Sequence, residues 1–353
     1  YMARALRLAE RGLYSTAPNP RVGCVIVKDG QVVGEGWHRR AGDAHAEINA
    51  LQVTGSEARG ATAYVTLEPC SHYGRTPPCA EALIAAGVSR IVAAMQDPNP
   101  QVAGRGLSML TAAGIAAECG LLEAEARELN VGFVSRMTRG RPWVRLKLAA
   151  SLDGKTALEN GTSQWITGAS ARQDGHRWRA RACAILSGIG TVRDDDPQLT
   201  VRGVETSRQP LRILVDSRLE LPLEARVLNG GGLLLATASV DARKSDALRQ
   251  RGAEIICLPN AAGKVDLPAL MEELGRRGIN ELHVEGGFRL NGALLAAGLV
   301  DEVLLYLAPC LVGDAARGMF DLPALESLEG KRPLNIRDMR MVGKCLRVLA
   351  RFS

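Results

Sequence analysis

The side chains best suited to chemistry are a short series of His, Glu and Cys residues in the first third of the chain. Glu47 follows His45 by two residues, and Cys70 and Cys79 are each directly preceded by proline. One imidazole and two thiolates are what a tetrahedral Zn²⁺ takes from a protein when its fourth position is left for water. Zinc lowers the pKa of that water, and Glu47 could carry its proton to a leaving group. The sequence therefore predicts a hydrolytic zinc site with ligands His45, Cys70 and Cys79.

The order H-x-E then P-C is that of zinc deaminases, which separate their two cysteines by two residues. Here eight residues, S-H-Y-G-R-T-P-P, lie between Cys70 and Cys79. They bring Arg75 and several hydroxyl groups beside the site, which suits a phosphorylated substrate. Because Pro77 and Pro78 precede Cys79, we expect that thiolate at a helix N-terminus, where the helix dipole favours an anion.

The elements that must position these residues alternate between strands and helices. Asp29-Gly30 between two apolar segments is a strong hairpin signal, with strands at 22–28 and 31–37. Further strands are predicted at 61–67 and 89–95, and helices at 1–12, 45–53, 79–87 and 106–114. This alternation favours an α/β layer with helices on the sheet faces.

A second alternating series follows a break in the apolar pattern at 137–142. Its predicted strands are 143–151, 183–188, 211–216, 233–237, 254–258, 281–286 and 301–309, and its predicted helices are 170–180, 266–277 and 290–297. A length of 353 residues also favours two domains over one. We therefore expect two α/β domains, at 1–140 and 141–353.

Composition excludes several classes of protein. Charged residues make up 23% and the net charge is +6, without a block of like charges, which argues against a nucleic-acid tail. Eight scattered cysteines fit a reducing cytoplasm better than a disulfide scaffold. No apolar segment has the length of a membrane span, and Arg4, Arg7 and Glu10 interrupt any signal peptide. The first residue is Tyr, so we expect the natural start to lie upstream.

Over essentially its whole length the chain resembles the bifunctional deaminase/reductase family of riboflavin biosynthesis. The first half carries P-N-P-R-V-G (18–23), H-A-E (45–47) and T-L-E-P-C-S-H-Y-G-R-T-P-P-C (66–79). The second half carries K-L-A-A-S-L-D-G-K (147–155), S-Q-W-I-T (163–167), G-T-V-R-D-D-D-P-Q-L-T-V-R (190–202) and V-E-G-G (284–287). The resemblance implies a cytidine-deaminase-like three-layer domain followed by a dihydrofolate-reductase-like α/β domain.

The resemblance also implies two consecutive reactions. The first is zinc-dependent hydrolytic deamination of 2,5-diamino-6-(5-phosphoribosylamino)pyrimidin-4(3H)-one to 5-amino-6-(5-phosphoribosylamino)uracil. The second is NADPH-dependent reduction of the ribosyl group to a ribityl chain. It implies a small phosphorylated pyrimidine as partner, with neither nucleic acid nor membrane, and leaves open a homo-oligomer formed through the reductase half.

Site residues are carried over from the family position by position. In the deaminase half, Asn19 would contact the pyrimidine and Arg75 the phosphate. The implied NADP contacts are Ala149, Trp165, Thr191, Asp195, Ser217 and the turn formed by Gly287, Phe288, Arg289, Leu290, Asn291, Gly292 and Ala293. The implied substrate contacts in the reductase half are Ser163, Arg179, Leu199, Arg202 and Glu285, with the two arginines as phosphate candidates.

Lys147 and Asp153 are candidate catalytic residues of the reductase half, because they lie near the end of its first predicted strand. Either could help to open the ribose ring before reduction. Two rival interpretations remain at this point. One is a nucleoside or nucleic-acid deaminase with an unrelated second domain, and the other is a module in which zinc only stabilises the fold.

Overall fold

The computed structural model describes residues 1–73 and 77–352. The chain divides into two compact units, Tyr1–Gly140 and Arg141–Ser353. Each unit has its own sheet and its own apolar core, so each is described by itself.

The first unit is a five-stranded sheet with helices. Its strands are β1 (Gly23–Lys28), β2 (Gln31–Trp37), β3 (Thr62–Val65), β4 (Arg90–Ala93) and β5 (Ala116–Cys119), in the order β2-β1-β3-β4-β5. Its helices are α1 (Met2–Glu10), α2 (Ala46–Thr54), α3 (Cys79–Ala85), α4 (Arg105–Ala112), α5 (Glu123–Leu129) and α6 (Val131–Arg139). β1 runs antiparallel to β2 and β3, whereas β3, β4 and β5 are parallel.

The hairpin predicted at Asp29-Gly30 is confirmed. Lys28 pairs with Gln31, and the two turn residues have φ of 48° and 76°, the left-handed conformation that a two-residue turn of this kind requires. Cys24 on β1 is fully buried, as a small apolar residue would be.

The second unit is built on a nine-stranded sheet. The strands of this unit, two of which lie outside the large sheet, are β6 (Trp143–Ser151), β7 (Lys155–Ala157), β8 (Ala184–Gly188), β9 (Leu211–Val215), β10 (Leu233–Thr237), β11 (Ala253–Cys257), β12 (Glu281–Val284), β13 (Glu302–Ala308), β14 (Arg317–Gly318), β15 (Leu334–Val342) and β16 (Cys345–Phe352). Its helices are α7 (Ala169–Arg181), α8 (Ile189–Asp195), α9 (Ala242–Gln250), α10 (Leu267–Arg276) and α11 (Phe288–Ala296).

The order of the large sheet is β11-β10-β9-β8-β12-β6-β13-β16-β15, and β7 pairs with β14 separately. The seven strands from β11 to β13 are parallel, so their carboxyl ends meet at one edge of the sheet. Loops at this edge are where open α/β sheets bind ligands.

The last two strands, β15 and β16, were missing from the sequence prediction. They form an antiparallel hairpin in which Val342 pairs with Cys345 across Gly343 and Lys344. Gly343 has φ of 60°, which suits the first position of a two-residue hairpin turn. The prediction also lacked the strands β5, β7 and β14 and the helices α5, α6, α8 and α9. Helix α6 extends into the interrupted apolar pattern at 137–142 and ends at Arg139.

All eight cysteines are free thiols. In the described part of the chain, 1–73 and 77–352, we find no helix with both the length and the apolar character to cross a bilayer.

Candidate functional site

The three predicted zinc ligands meet in the first unit. His45 directly precedes α2, Cys79 opens α3, and Cys70 lies in the loop after β3. His45 Nδ1 lies 3.5 Å from Cys70 Sγ and 3.3 Å from Cys79 Sγ, and the three donor atoms all lie within 4.8 Å of one another. The two thiols and the imidazole are therefore directed at one point.

This spacing fits a tetrahedral ion. Zn–S bonds of about 2.3 Å and Zn–N bonds of about 2.0–2.1 Å place sulfur and nitrogen roughly 3.6 Å apart. The Sγ of Cys70 also accepts a hydrogen bond from the backbone N–H of Cys79, at 3.2 Å. The pKa of the Cys70 thiol is lowered to about 4, chiefly by the hydrogen bond with the Cys79 thiol and further by His45 and by this backbone N–H. The donor set suits a bound cation.

Glu47 lies beside this cluster in the first turn of α2. Its side chain is buried, and burial together with the neighbouring Cys70 raises its pKa to about 7. A carboxyl group that can both take and give a proton near neutral pH suits general acid–base catalysis.

Asn19 is connected to the same site by His38, a residue that the sequence analysis did not select. Its side-chain amide lies 3.1 Å from Nε2 of His38, and Nδ1 of His38 lies 3.2 Å from the carbonyl oxygen of Ala44. The carbonyl assigns the ring proton to Nδ1, so Nε2 accepts from Asn19. The His38 ring also packs edge-on against His45, with 5.4 Å between ring centres.

A lone histidine after a strand carries no motif, so only its contacts identify His38 as part of the site. Arg75, the predicted phosphate contact, lies outside the described residues.

In the second unit, a cavity of about 1090 Å³ opens at the carboxyl ends of the parallel strands. Its lining includes nine of the residues expected to contact cofactor or substrate: Ser163, Thr191, Asp195, Ser217, Gly287, Phe288, Arg289, Leu290 and Ala293. A cavity of this size can hold a dinucleotide. Gly287 directly precedes α11, so the first N–H groups of that helix have no partner within the helix and could bind an anion such as a phosphate.

Four expected cofactor contacts are not part of this lining as the described residues define it: Ala149, Trp165, Asn291 and Gly292. Asn291 is buried and donates to the carbonyl of Met319 at 3.2 Å. A Cβ on Gly292 would lie 2.0 Å from the carbonyl oxygen of Asp321. These two residues therefore face the protein interior, which corrects the expectation that the whole turn faces the cofactor.

Ser163 and Asp195 contact each other. The Ser163 hydroxyl donates to the Asp195 carboxylate at 2.9 Å. Ser217 instead accepts a bond from the backbone N–H of Val265 at 3.1 Å, and Trp165 is 69% exposed with the guanidinium of Arg172 over its ring.

A second polar group lies around Glu285, which follows β12. Arg179 donates to Glu285 at 2.8 Å and to the carbonyl of Thr200 at 2.9 Å. Although burial opposes it, Arg179 holds the pKa of Glu285 well below its usual range. Burial lowers the pKa of Lys147, which interacts with both Glu285 and Arg179.

The structure changes two expectations about substrate contacts, one for Arg179 and one for Leu199. Arg179 is already paired with a carboxylate, which leaves Arg202 as the better phosphate candidate. Arg202 is exposed, and its backbone N–H donates to Nδ1 of His176 at 3.2 Å. Leu199 is buried with φ of 51°, so its side chain faces the core.

Asp153 has a different environment from Lys147. Its carboxylate accepts from the Ser151 hydroxyl and from the backbone N–H groups of Val312 and Gly313, at 3.1 and 2.8 Å. These bonds lower its pKa to about 2. Such a group stays ionised and holds the loop at 312–313, so the structure favours Lys147 over Asp153 as a proton donor.

Comparison with known proteins matches both units. Residues 1–95 match the cytidine and deoxycytidylate deaminase zinc-binding region, and residues 142–343 match the RibD C-terminal domain. The riboflavin biosynthesis protein RibD of Escherichia coli K12 is 52% identical over 357 aligned residues, covering 97% of this chain and 96% of that protein.

Several solved structures resemble the whole chain. RibD of Acinetobacter baumannii, form 1, has a TM-score of 0.94 and 44% identity, covering 100% of this chain and 98% of that one. A diaminohydroxyphosphoribosylaminopyrimidine deaminase/5-amino-6-(5-phosphoribosylamino)uracil reductase of Thermotoga maritima has a TM-score of 0.89 and 33% identity, with the same coverage. The fold is therefore a cytidine-deaminase-like domain followed by a RibD reductase domain.

Proposed function

The chain belongs to the RibD family of bifunctional deaminase/reductases of riboflavin biosynthesis, and from this premise we propose which residues perform its two reactions. The observation that carries the proposal is the convergence of His45, Cys70 and Cys79 at zinc-ligand spacing beside the buried Glu47. The substrate is the phosphoribosylated diaminopyrimidine, and its deaminated product is the substrate of the second reaction.

In the deaminase unit, His45, Cys70 and Cys79 would hold zinc. Zinc supplies the Lewis acidity that lowers the pKa of a coordinated water. Glu47, buried beside these ligands, would accept the proton of the attacking water and deliver it to the amino group that leaves as ammonia. The hydrogen-bonded side chains of Asn19 and His38 orient the pyrimidine. Arg75 contacts the phosphate.

In the reductase unit, the cavity of about 1090 Å³ would hold NADPH. The cofactor supplies the hydride, so the protein needs only to bind, orient and move a proton. Thr191, Asp195 and Ser217 line the cofactor side of the cavity, together with the N-terminus of α11. Lys147 donates the proton that accompanies opening of the ribose ring. The charges of Glu285 and Arg179 act on its amino group and help to set its pKa. Arg202 binds the phosphate.

The enzyme works as a cytoplasmic homo-oligomer that forms through the reductase unit. Strand β15 lies at the edge of the nine-stranded sheet and exposes four apolar side chains: Leu334, Ile336, Met339 and Met341. An edge strand that exposes several apolar side chains is suited to pair with another chain. We expect Ile336→Lys to shift the mass measured by sedimentation towards the monomer, and an unchanged mass would exclude this edge as the interface.

Substrate choice separates this function from that of a nucleoside deaminase. Ammonia release from the diaminopyrimidine ribotide, with none from cytidine or from an adenosine-bearing oligonucleotide, is the expected result. Release from cytidine or the oligonucleotide would favour the rival function instead.

A further inference from the structure

A buried carboxylate lies two residues before the zinc ligand Cys70. The Glu68 side chain is only 4% exposed, although glutamate is rarely buried without a partner. Its backbone N–H donates to the carbonyl of Met95 at 2.9 Å, which holds this part of the loop beside the end of β4. Glu68 is therefore fixed in the fold, and its carboxylate points away from solvent.

Four backbone N–H groups donate to this carboxylate. One oxygen accepts from Gly106 at 2.8 Å and Leu107 at 3.3 Å. The other accepts from Gly104 at 2.9 Å and Asp97 at 3.0 Å. The first N–H groups of α4 have no partner within the helix, and its own N-cap residue, Gly104, supplies no side chain. Glu68 thus caps α4 from a distant part of the chain.

A second contact joins the same two segments. A Cβ on Gly106 would lie 2.0 Å from the carbonyl oxygen of Pro69, the residue between Glu68 and Cys70. Glycine is therefore required for α4 to approach the zinc-ligand loop this closely. On the other side of the loop, the carbonyl of Cys70 accepts from Ala80 at 3.2 Å, and its Sγ accepts from Cys79.

We infer that Glu68 is a positioning residue for the zinc site: its four backbone hydrogen bonds, three of them to the N-terminus of α4, hold Cys70 at the distance that the donor set needs. This inference rests on the proposed zinc chemistry. Residues that orient metal ligands from outside the coordination shell typically change metal affinity or activity about 10–100-fold when they are replaced.

Glu68→Gln is the test variant because it keeps the size of the side chain. The amide nitrogen cannot accept hydrogen bonds, so two of the four bonds are lost and an N–H group faces other N–H groups. Glu118→Gln is the matched control, since Glu118 lies in the same unit but forms an exposed ion pair with Arg90. Gly106→Ala disturbs the same loop while the carboxylate stays intact.

Zinc affinity is measured by chelator competition on the full-length apoprotein, with the visible spectrum of the Co²⁺-substituted protein as a second readout. We expect Glu68→Gln and Gly106→Ala to weaken zinc binding about 10–100-fold and to change the Co²⁺ bands. NADPH-dependent reduction by the same chain should not change, and Glu118→Gln should match the wild type.

Wild-type zinc affinity and an unaltered Co²⁺ spectrum in Glu68→Gln would overturn the inference. So would loss of secondary structure in the apoprotein of both variants, which would show a purely structural role. A wild-type protein that neither binds zinc nor deaminates the ribotide would instead overturn the proposed function on which the inference rests.

Discussion

At the scale of single residues, the site depends on the environment of a few titratable groups. Glu47 is buried beside two thiols, whereas Asp153 is exposed and ionised by its hydrogen bonds. Two carboxyl groups that look alike in a motif therefore differ in what they can do with a proton. Burial and hydrogen bonding decide this, and neither can be read from residue type alone.

Glu47→Gln should slow deamination strongly while leaving zinc in place. A positioned general acid–base contributes about 10²–10⁴ in rate, so we expect a loss of that size. Metal analysis should show wild-type zinc content, because Glu47 is not among the three converging ligands. Unchanged deamination in this variant would remove Glu47 from the proposed mechanism.

Lys147→Met should slow reduction by about 10²–10⁴ and leave deamination intact, because the methionine cannot donate a proton. Single-turnover NADPH oxidation with the deaminated intermediate measures the step directly. Lys331→Met is the control, since Lys331 is an exposed lysine of the same unit. A normal rate of reduction in Lys147→Met would remove this residue from the proposed mechanism.

His176 should make the reductase unit sensitive to mild acid. Burial, together with Arg179 and Arg202, lowers its pKa to about 4, while Glu285 opposes the shift. The unfolded chain, with an ordinary histidine pKa of about 6.5, then binds the proton more readily than the folded one. Stability is therefore full above about pH 6.5 and decreases as the pH falls towards 4.

Thermal melts at pH 5 and pH 7.5 measure this effect. We expect His176→Asn to reduce the difference in melting temperature between the two pH values, because the titrating ring is gone. Asparagine is chosen because its amide oxygen can still accept the hydrogen bond from the backbone N–H of Arg202. The buried His283, whose pKa burial also lowers, keeps part of the difference. An identical pH dependence in the variant and the wild type would contradict the assignment.

At the scale of secondary-structure elements, close backbone contacts set the geometry of the sites. Helix α11 lies against the segment around Asp321, and Gly292 provides the space between them. Gly292→Ala forces the two backbones apart, so we expect it to destabilise the unit by about 1–3 kcal/mol and to raise KM for NADPH.

Gly175→Ala in α7 is the matched control, because a Cβ there would meet no atom within 4 Å apart from its chain neighbours and the backbone of its own helix. It should be neutral or stabilising, since alanine is the better helix former. Equal melting temperatures for the two variants would show that the contact at Asp321 does not matter.

Local sequence signals predicted most elements but not the contacts between distant ones. Asp29-Gly30 and the prolines before Cys79 act within a few residues, so their hairpin and helix start were predictable. The pairing of Asn19 with His38 and of Glu68 with α4 depends on segments brought together only by the fold. The hairpin of β15 and β16 did carry a signal, the glycine of its turn, which the sequence interpretation missed.

At the scale of the whole molecule, the chain combines two α/β units with separate chemistries. The zinc cluster uses residues of 1–140 alone, and the large cavity uses residues of 141–353 alone. The motifs of both halves could be assigned from sequence because their spacing is long and specific. The residue that distinguishes NADPH from NADH carries no such motif.

The central claim is that one chain performs both reactions in sequence. Mass spectrometry of the diaminopyrimidine ribotide incubated with the zinc-loaded protein, first without and then with NADPH, tests it most directly. The account predicts exchange of an amino group for oxygen in the first incubation, and a gain of two hydrogens only after NADPH is added. An unchanged substrate mass in the presence of zinc and NADPH would contradict it.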